Sequence, residues 1–148
     1  MSDLGNSLKV VLADTFGMFL NAWNWHWNVE GPNFYEYHKL FGKIYEELFE
    51  AIDAVAEQVR ALDEYAPGSY TRFKELTNID EEVKIPTAAN MVDKLLAAND
   101  RVIASLNSAM EQAKIANNEG VINFLGGRLE THAKHGWFLR ATGKKNRA

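Results

Sequence analysis

The sequence predicts an all-α protein, a four-helix bundle with a short extra helix in the crossover between helices two and three. Two observations predict this class. Apolar residues recur at three- and four-residue steps through four long segments, which is the period of an amphipathic helix. Strand-like alternation is absent, and the prolines fall only at breaks between these segments, at Pro32, Pro67 and Pro86.

The first two helices are expected to form a hairpin around Pro32. The first is predicted from about Ser7 to Asn28, and the second from Phe34 to about Asp63, with Asn33 as its N-terminal cap. The intervening connection is short, so the two helices should lie antiparallel and adjacent to each other. Charged residues occupy the face of helix two opposite its apolar stripe.

The second half of the chain begins with a connection from Tyr65 to Pro86, which is too long for a hairpin. A short helix is predicted inside this connection, at Ser69–Leu76. After it we expect a third long helix at about Thr87–Ala116, a break at 117–120 and a last helix that begins at Val121 and is stopped by Gly143. Short, long and short connections in this order give a bundle with one crossover, which is the connectivity of ferritin-like folds.

Composition limits the kinds of site that the chain can form. Its 148 residues suit a single domain, 1–148, with a short basic tail at 143–148. The net charge of -4 gives no general argument for nucleic-acid binding, and the lack of cysteine excludes thiolate metal sites, so a metal must be bound by histidine and carboxylate. There is no signal-like start and no long apolar run, so we expect a cytoplasmic protein without a membrane partner.

Four residues form a candidate metal site. His26 lies just before the hairpin turn and His38 just after it, so their heights match, while Asp53 and Glu57 are one helical turn apart. The step from His38 to Asp53 spans roughly 22 Å of helix, which no single ion can bridge. A second copy with helix two antiparallel to the first would complete the site twice, and such two-fold contacts are the commonest oligomer interface.

Each of these residues also has a purely structural interpretation. A lone histidine on an apolar helix face is commonly a core or interface residue. Glu50, Asp53 and Glu57 alone would suit a solvated acidic face, and the aromatic residues around His26 would suit simple packing. The combination of all four residues with a hairpin that aligns the histidines favours the metal site. No Glu-x-x-His pair occurs, so the single-chain di-iron layout is absent.

Two stretches, Trp25–Phe41 and Ile52–Glu57, resemble the Dps family (DNA-protection-during-starvation mini-ferritins). The spacing H-x11-H-x14-D-x3-E is that of the family's intersubunit ferroxidase motif, and His132–Ala141 is similar to its closing helix. The resemblance implies two-fold dimers assembled into a hollow dodecamer. It also implies a ferroxidase that oxidises Fe(II), preferentially with hydrogen peroxide, stores ferric mineral and protects against oxidative damage.

The resemblance also implies roles for individual residues. The four candidates would be iron ligands, and Trp27 an aromatic electron donor beside the site. The family usually has an acid four residues after the second histidine, where this chain has Gly42. This difference implies a di-iron site with one strong and one weak position. Glu46, one turn further on, is a candidate substitute ligand; the alternative is a solvated surface residue.

Two further departures concern the assembly that the resemblance implies. The arginine that usually follows the motif's glutamate is Gln58 here, which should weaken an ion pair at the interface. Acids often line the family's three-fold pores, but this chain has Asn117, Asn118 and Glu119 in the corresponding loop. Electrostatic steering of ferrous ions through such a pore should therefore be weaker.

DNA binding is a separate expectation that depends on the C-terminal tail. Lys144, Lys145 and Arg147, repeated twelve times on one shell, would bind phosphate weakly and nonspecifically, which would place the protein at the nucleoid. The alternative is an ordinary solubilising tail. The rival function is a non-catalytic, DNA-binding or structural shell with weakened iron oxidation, which the glycine at position 42 suggests.

Overall fold

The structure is a computed structural model that describes residues 2–144, and within this span it contains helices and no strands. The helices are α1 Asp3–Asn28, α2 Phe34–Ala61, α3 Tyr70–Leu76, α4 Ala88–Ile115 and α5 Glu119–Gly143. The predicted class is confirmed: four long helices form the bundle, and the short α3 lies in the crossover. No helix of this span is long and apolar enough to cross a bilayer.

The start of the hairpin differs from prediction in two details. Helix α1 begins at Asp3 rather than Ser7, because Ser2 caps it by accepting a hydrogen bond of 2.9 Å from the backbone N–H of Gly5. The predicted N-cap position of Asn33 is confirmed, but its side chain makes no capping hydrogen bond. Only its backbone carbonyl accepts, from the N–H of Tyr37.

The last helix also begins slightly earlier than predicted. Its first residue is Glu119, because the Asn118 side chain accepts a hydrogen bond of 3.1 Å from the N–H of Val121 and so caps the first turn. Gly143 is the last helical residue of α5. The predicted basic tail at 143–148 therefore starts one residue later, at Lys144, and its part from 145 onward lies outside the described residues.

Helix α1 joins the two helix pairs of the bundle. It packs against α2, α4 and the short α3, while α4 also packs against α5. The core between the helices contains large side chains that are fully or almost fully buried, each contributing roughly 1.5–3 kcal/mol. They include Leu8, Leu12, Met18, Trp25, Phe41, Ile44, Leu48, Leu95, Leu106 and Leu125.

The crossover is held to the bundle by Asp14, a fully buried carboxylate on α1. Its oxygens accept hydrogen bonds from the Thr77 hydroxyl at 2.8 Å and from the backbone N–H of Asn78 at 2.6 Å. A third bond comes from the Ser105 hydroxyl on α4. Since a buried carboxylate is tolerated only when it is well hydrogen-bonded, these contacts fix where the crossover lies.

Candidate metal site

The hairpin brings His26, near the end of α1, together with His38, near the start of α2. The Nδ1 atom of His26 lies 2.7 Å from the carbonyl oxygen of His38, and the Nδ1 atom of His38 lies 2.6 Å from the carbonyl oxygen of His26. A carbonyl oxygen can only accept, so both Nδ1 atoms carry the hydrogen and donate. We call this pair of reciprocal bonds the histidine latch.

The latch determines which nitrogen of each ring is available. In a neutral imidazole with its hydrogen on Nδ1, the lone pair is on Nε2, which is the form that binds a metal ion. A carbonyl that accepts from the non-ligating nitrogen is also the usual way in which proteins orient a metal-binding histidine. The rings of His26 and His38 stack with 3.8 Å between centroids and 16° between planes, so they are fixed against each other.

The acidic pair lies further along α2 on exposed positions. Asp53 and Glu57 are close enough for a side-chain hydrogen bond between their carboxyl groups. This hydrogen bond, together with repulsion between the two charges, raises the pKa of Glu57 above its ordinary value. Two carboxylates that repel each other in this way form a site that a cation would stabilise.

One chain does not bring the two pairs together. Within residues 2–144, no group of three or more histidine and acidic side chains is placed to hold a metal ion. The histidines are at the beginning of α2 and the acids in its second half, as the helical rise requires. Each pair is therefore half of a site, and ligation by these residues remains a prediction.

The other predicted residues lie around the hairpin and at its far end. Trp27 is 56 % exposed, and Glu46 is exposed on α2 without a hydrogen bond or ion pair within residues 2–144. Lys144 is exposed just after α5, whereas the predicted phosphate-binding residues Lys145 and Arg147 lie outside the described residues. None of these placements decides their predicted roles.

Sequence reasoning missed two neighbours of His26. The ring of Tyr45 lies 5.1 Å from that of His26 and 6.4 Å from that of Trp23, which in turn contacts Trp27 at 4.5 Å. Gly42 is buried directly under the His26 ring. A glycine inside a regular helix was the available signal, since it weakens the helix and commonly marks a close approach.

The other two histidines form a separate cluster between α2, α4 and α5. His132 is fully buried, its Nε2 accepts from Arg128 at 2.8 Å, and its Nδ1 donates to the Asn99 side chain at 2.8 Å. Arg128 also forms a two-pronged ion pair with Glu47, and His135 contacts the same carboxylate at 2.8 Å. Both ring nitrogens of His132 are used, so it has no atom left for a metal.

The surroundings of this cluster shift the pKa values of His132 and Glu47. Burial, helped by the positive charge of Arg128, lowers the pKa of His132 to about 3, so it is neutral at ordinary pH. Burial raises the pKa of Glu47, but hydrogen bonds from His135 and Arg128 outweigh this effect and lower it to about 2. We call this group of five residues the buried network: Glu47, Asn99, Arg128, His132 and His135.

Known proteins share both the sequence pattern and the fold. A family profile described as a ferritin-like domain matches residues 6–147. DNA protection during starvation protein 2 of Bacillus anthracis is 30% identical over 134 residues, which cover 90% of this chain and 92% of that protein. The chain belongs to the Dps family of ferritin-like proteins.

Solved structures of Dps proteins superpose closely on the chain. The Dps of Thermosynechococcus elongatus matches with a TM-score of 0.93 and 26% identity, covering 97% of this chain and 91% of that one. The Dps of Vibrio cholerae O1 matches with a TM-score of 0.91 and 25% identity, covering 95% and 89%. The latter is described as a member of a broad superfamily of ferritin-like diiron-carboxylate proteins. The Dps mini-ferritin fold is thus shared over almost the whole chain.

Proposed function

We propose that the protein is a ferroxidase and iron-storage mini-ferritin whose metal sites are each completed by two copies of the chain. Membership of the Dps family supports iron storage and protection as the general role. The finer proposal is that His26 and His38 of one copy join Asp53 and Glu57 of another to bind Fe(II). Hydrogen peroxide is the preferred oxidant in this proposal, and the ferric product is stored inside a dodecameric shell in the cytoplasm.

One observation supports the shared site above all others. The chain has a pair of oriented histidines at one end of α2 and a pair of mutually repelling carboxylates in its other half. Neither pair has a third histidine or acid close enough to complete a site within residues 2–144. A two-fold axis near the middle of α2 would place each pair against the other pair of the second copy.

The surface between the two half-sites suits such a contact. Leu20 and Trp27 on α1 and Phe49 on α2 are 42 %, 56 % and 64 % exposed in the single chain. Phe49 and the acids follow each other at four-residue steps, so they lie along one face of α2. An exposed apolar patch beside polar half-sites is typical of a surface that is covered by a partner. A second copy would bury it while completing both sites.

The ligand chemistry fits ferrous iron as the substrate. Imidazole binds Fe(II) well, and the hard carboxylate oxygens favour Fe(III), so a mixed site accepts the reduced ion and stabilises its oxidation. Two Fe(II) ions, one hydrogen peroxide and two protons give two Fe(III) ions and two water molecules. Each iron loses one electron and the O–O bond is cleaved. Consuming both reactants together prevents the one-electron reaction that releases hydroxyl radical.

The second iron position should be the weaker one. No acidic side chain is available at position 42, and Glu46, the candidate substitute, is exposed on α2. In this proposal Trp27 supplies an electron when only one iron is bound at the moment that peroxide reacts. Its position supports this role, because it is joined to His26 through the aromatic rings of Trp23 and Tyr45.

Subunit complementation tests the shared site. We would prepare one variant with His26→Ala and His38→Ala and another with Asp53→Ala and Glu57→Ala, and measure ferric absorbance after anaerobic Fe(II) is mixed with peroxide. Each variant alone should be inactive. A mixed dimer contains one site with all four ligands and one with none, so co-refolding the two variants should restore activity.

The arrangement of ligands in the mixed dimer also defines the controls and the result that would contradict a shared site. Co-refolding either variant with itself should restore nothing, and wild-type protein taken through the same procedure should keep its full rate. Failure of the mixed dimer to regain activity, with both variants folded, would exclude a shared site. A wild-type rate no better than that of the variants would instead favour the non-catalytic, DNA-binding or structural shell.

A further inference from the structure

We propose that Tyr45 supplies a phenolate oxygen that binds Fe(III) at the weaker iron position, in place of the acidic side chain that is missing at position 42. The inference rests on the proposed function and adds one ligand to its site. Tyr45 lies in α2, seven residues after His38 and three after Gly42, and is partly buried. Its hydroxyl has no hydrogen bond within residues 2–144, so the oxygen is open to a ligand.

The space that a side chain at position 42 would occupy is bordered by both His26 and Tyr45. A Cβ atom built on Gly42 would lie 3.1 Å from Cε1 of His26 and 3.9 Å from Cε2 of Tyr45. In the imidazole, Cε1 is bonded to Nε2, the nitrogen that the histidine latch leaves open. In the phenol, Cε2 is bonded to the carbon that carries the hydroxyl. An open nitrogen and a phenol oxygen therefore both lie close to the space that the missing acid leaves.

The direction of the Tyr45 ring follows from its place on the helix. Long side chains in an α-helix point back toward its N-terminus and cover the residues three and four positions earlier. For Tyr45 these residues include Gly42, and the contact described above agrees with that direction. The ring of His26 lies 5.1 Å from that of Tyr45. Trp23 and Phe19 pack around the same ring at 6.4 and 6.2 Å, so the phenol is held beside the predicted ligand.

The chemistry of a phenolate suits this position. Like the missing carboxylate, it is a hard, anionic oxygen ligand, and such ligands favour Fe(III) over Fe(II). Tyrosine also serves as a protein ligand of haem iron. Binding breaks the phenol O–H bond and forms an Fe–O bond, and the proton passes to water. No electron moves in this step, because peroxide has already oxidised the iron. Tyr45 should therefore matter more for holding the ferric product than for capturing the ferrous ion.

A phenolate ligand has a spectroscopic signature that carboxylates and imidazoles lack. Fe(III)–phenolate complexes absorb visible light by ligand-to-metal charge transfer, and Raman excitation in that band enhances the vibrations of the tyrosine ring. We would add anaerobic Fe(II) and then peroxide, in the ratio of the proposed reaction, and record the spectrum before mineral forms. The wild type should show the charge-transfer band, and Tyr45→Phe should lose it.

Tyr37→Phe is the matched control, because it also removes one phenol hydroxyl from α2. Tyr37 packs against the core and lies 6.1 Å from the ring of Phe41, and it has no ring contact with His26 within residues 2–144. This variant should keep the band. Tyr45→Phe retains an aromatic ring beside His26, so circular dichroism should show the same helix content in both variants.

Gly42→Asp tests whether the phenol takes the place of the missing acid. A side chain at position 42 requires the His26 ring to shift by only a few tenths of an ångström, and the new carboxylate would compete with the phenol for the same iron. The charge-transfer band should therefore be much weaker in Gly42→Asp, while iron is still oxidised. A band of full wild-type strength in this variant would place the phenolate elsewhere and overturn the proposal.

The remaining outcomes separate this inference from the proposed function. Wild-type protein that oxidises iron without showing the band, or a band that persists in Tyr45→Phe, would overturn the role of Tyr45 and leave the ferroxidase intact. Wild-type protein that neither binds nor oxidises iron would exclude the ferroxidase itself, and the ligand role of Tyr45 with it.

Discussion

The chain contains two pairs of histidines that differ in which of their ring nitrogens are hydrogen-bonded. His26 and His38 bond to backbone carbonyls through Nδ1 and have no hydrogen bond to Nε2 within residues 2–144. His132, in contrast, has both ring nitrogens bonded to side chains and is fully buried. His135, the fourth histidine, contacts Glu47 in the same buried network.

This difference distinguishes histidines with an open ring nitrogen from a histidine with none by their hydrogen bonds rather than by their sequence. The latch satisfies the Nδ1 atom of each ring with a backbone carbonyl oxygen, and so leaves the Nε2 atom open to a ligand. His132 leaves neither ring nitrogen open, because an unsatisfied polar atom inside the bundle would cost about 1–3 kcal/mol. Four predictions test the comparison, from the largest expected effect to the smallest.

Removing the first pair should abolish metal binding and leave the fold intact. In the His26→Ala/His38→Ala variant we expect Co(II) affinity to fall by more than about 100-fold, because both nitrogen ligands and the latch are lost together. The thermal midpoint should change by only a few degrees, since both rings are only partly buried. Calorimetric titration and circular dichroism measure these effects, and unchanged affinity would show that the metal binds elsewhere.

Removing His132 should have the reverse effect. In His132→Ala we expect a loss of roughly 3–4 kcal/mol in the free energy of unfolding, because a buried side chain disappears and Arg128 and Asn99 lose a partner. Denaturant unfolding measures this loss. Co(II) affinity of the folded variant should equal that of the wild type. A variant as stable as the wild type would mean that the network contributes little.

Mild acid should lower the free energy of unfolding before it protonates His132 in the folded protein. The folded-state pKa of His132 is about 3, below the ordinary value of 6.5, so only the unfolded chain takes up a proton there as the pH falls between these values. Stability is therefore fully present above pH 6.5 and decreases below it. Between about pH 6.5 and 4.5 the loss should be roughly 2–3 kcal/mol. The pH dependence of unfolding in His132→Gln should be shallower over this interval, and an equal slope would assign the effect to other groups.

The smallest expected effect is that of Trp27→Phe. The substitution keeps an aromatic ring beside Trp23 but removes the more easily oxidised indole. Ferric iron should form at nearly the wild-type rate, while spin trapping should detect more hydroxyl radical when Fe(II) is limiting. Leu20→Ala, also exposed on α1, is the control for loss of surface contact. Identical radical yields in the wild type and Trp27→Phe would remove the indole from the proposed mechanism.

Much of the fold followed from local patterns, but parts of the site did not. The α1–α2 hairpin, the short helix α3 at Tyr70–Leu76 and the one-turn spacing of the acids depend on helix period and rise, which are local properties. Asn33 lies at the predicted N-cap position of α2 without a side-chain capping bond, because residue preference does not fix side-chain orientation. Glu47 and Arg128, far apart in the chain, form an ion pair that no periodic pattern indicates.

The sequence by itself determined a helical bundle in which His38 and Asp53 lie too far apart along α2 to share one ion. That conclusion needs only the regular rise of a helix and the positions of the side chains along it. The tertiary structure alone decided that His26 and His38 bond to each other's carbonyl, that Gly42 lies against the His26 ring, and that His132 is fully occupied. Such features depend on placing residues of different helices to within a few tenths of an ångström, and the packing of the whole chain sets this placement.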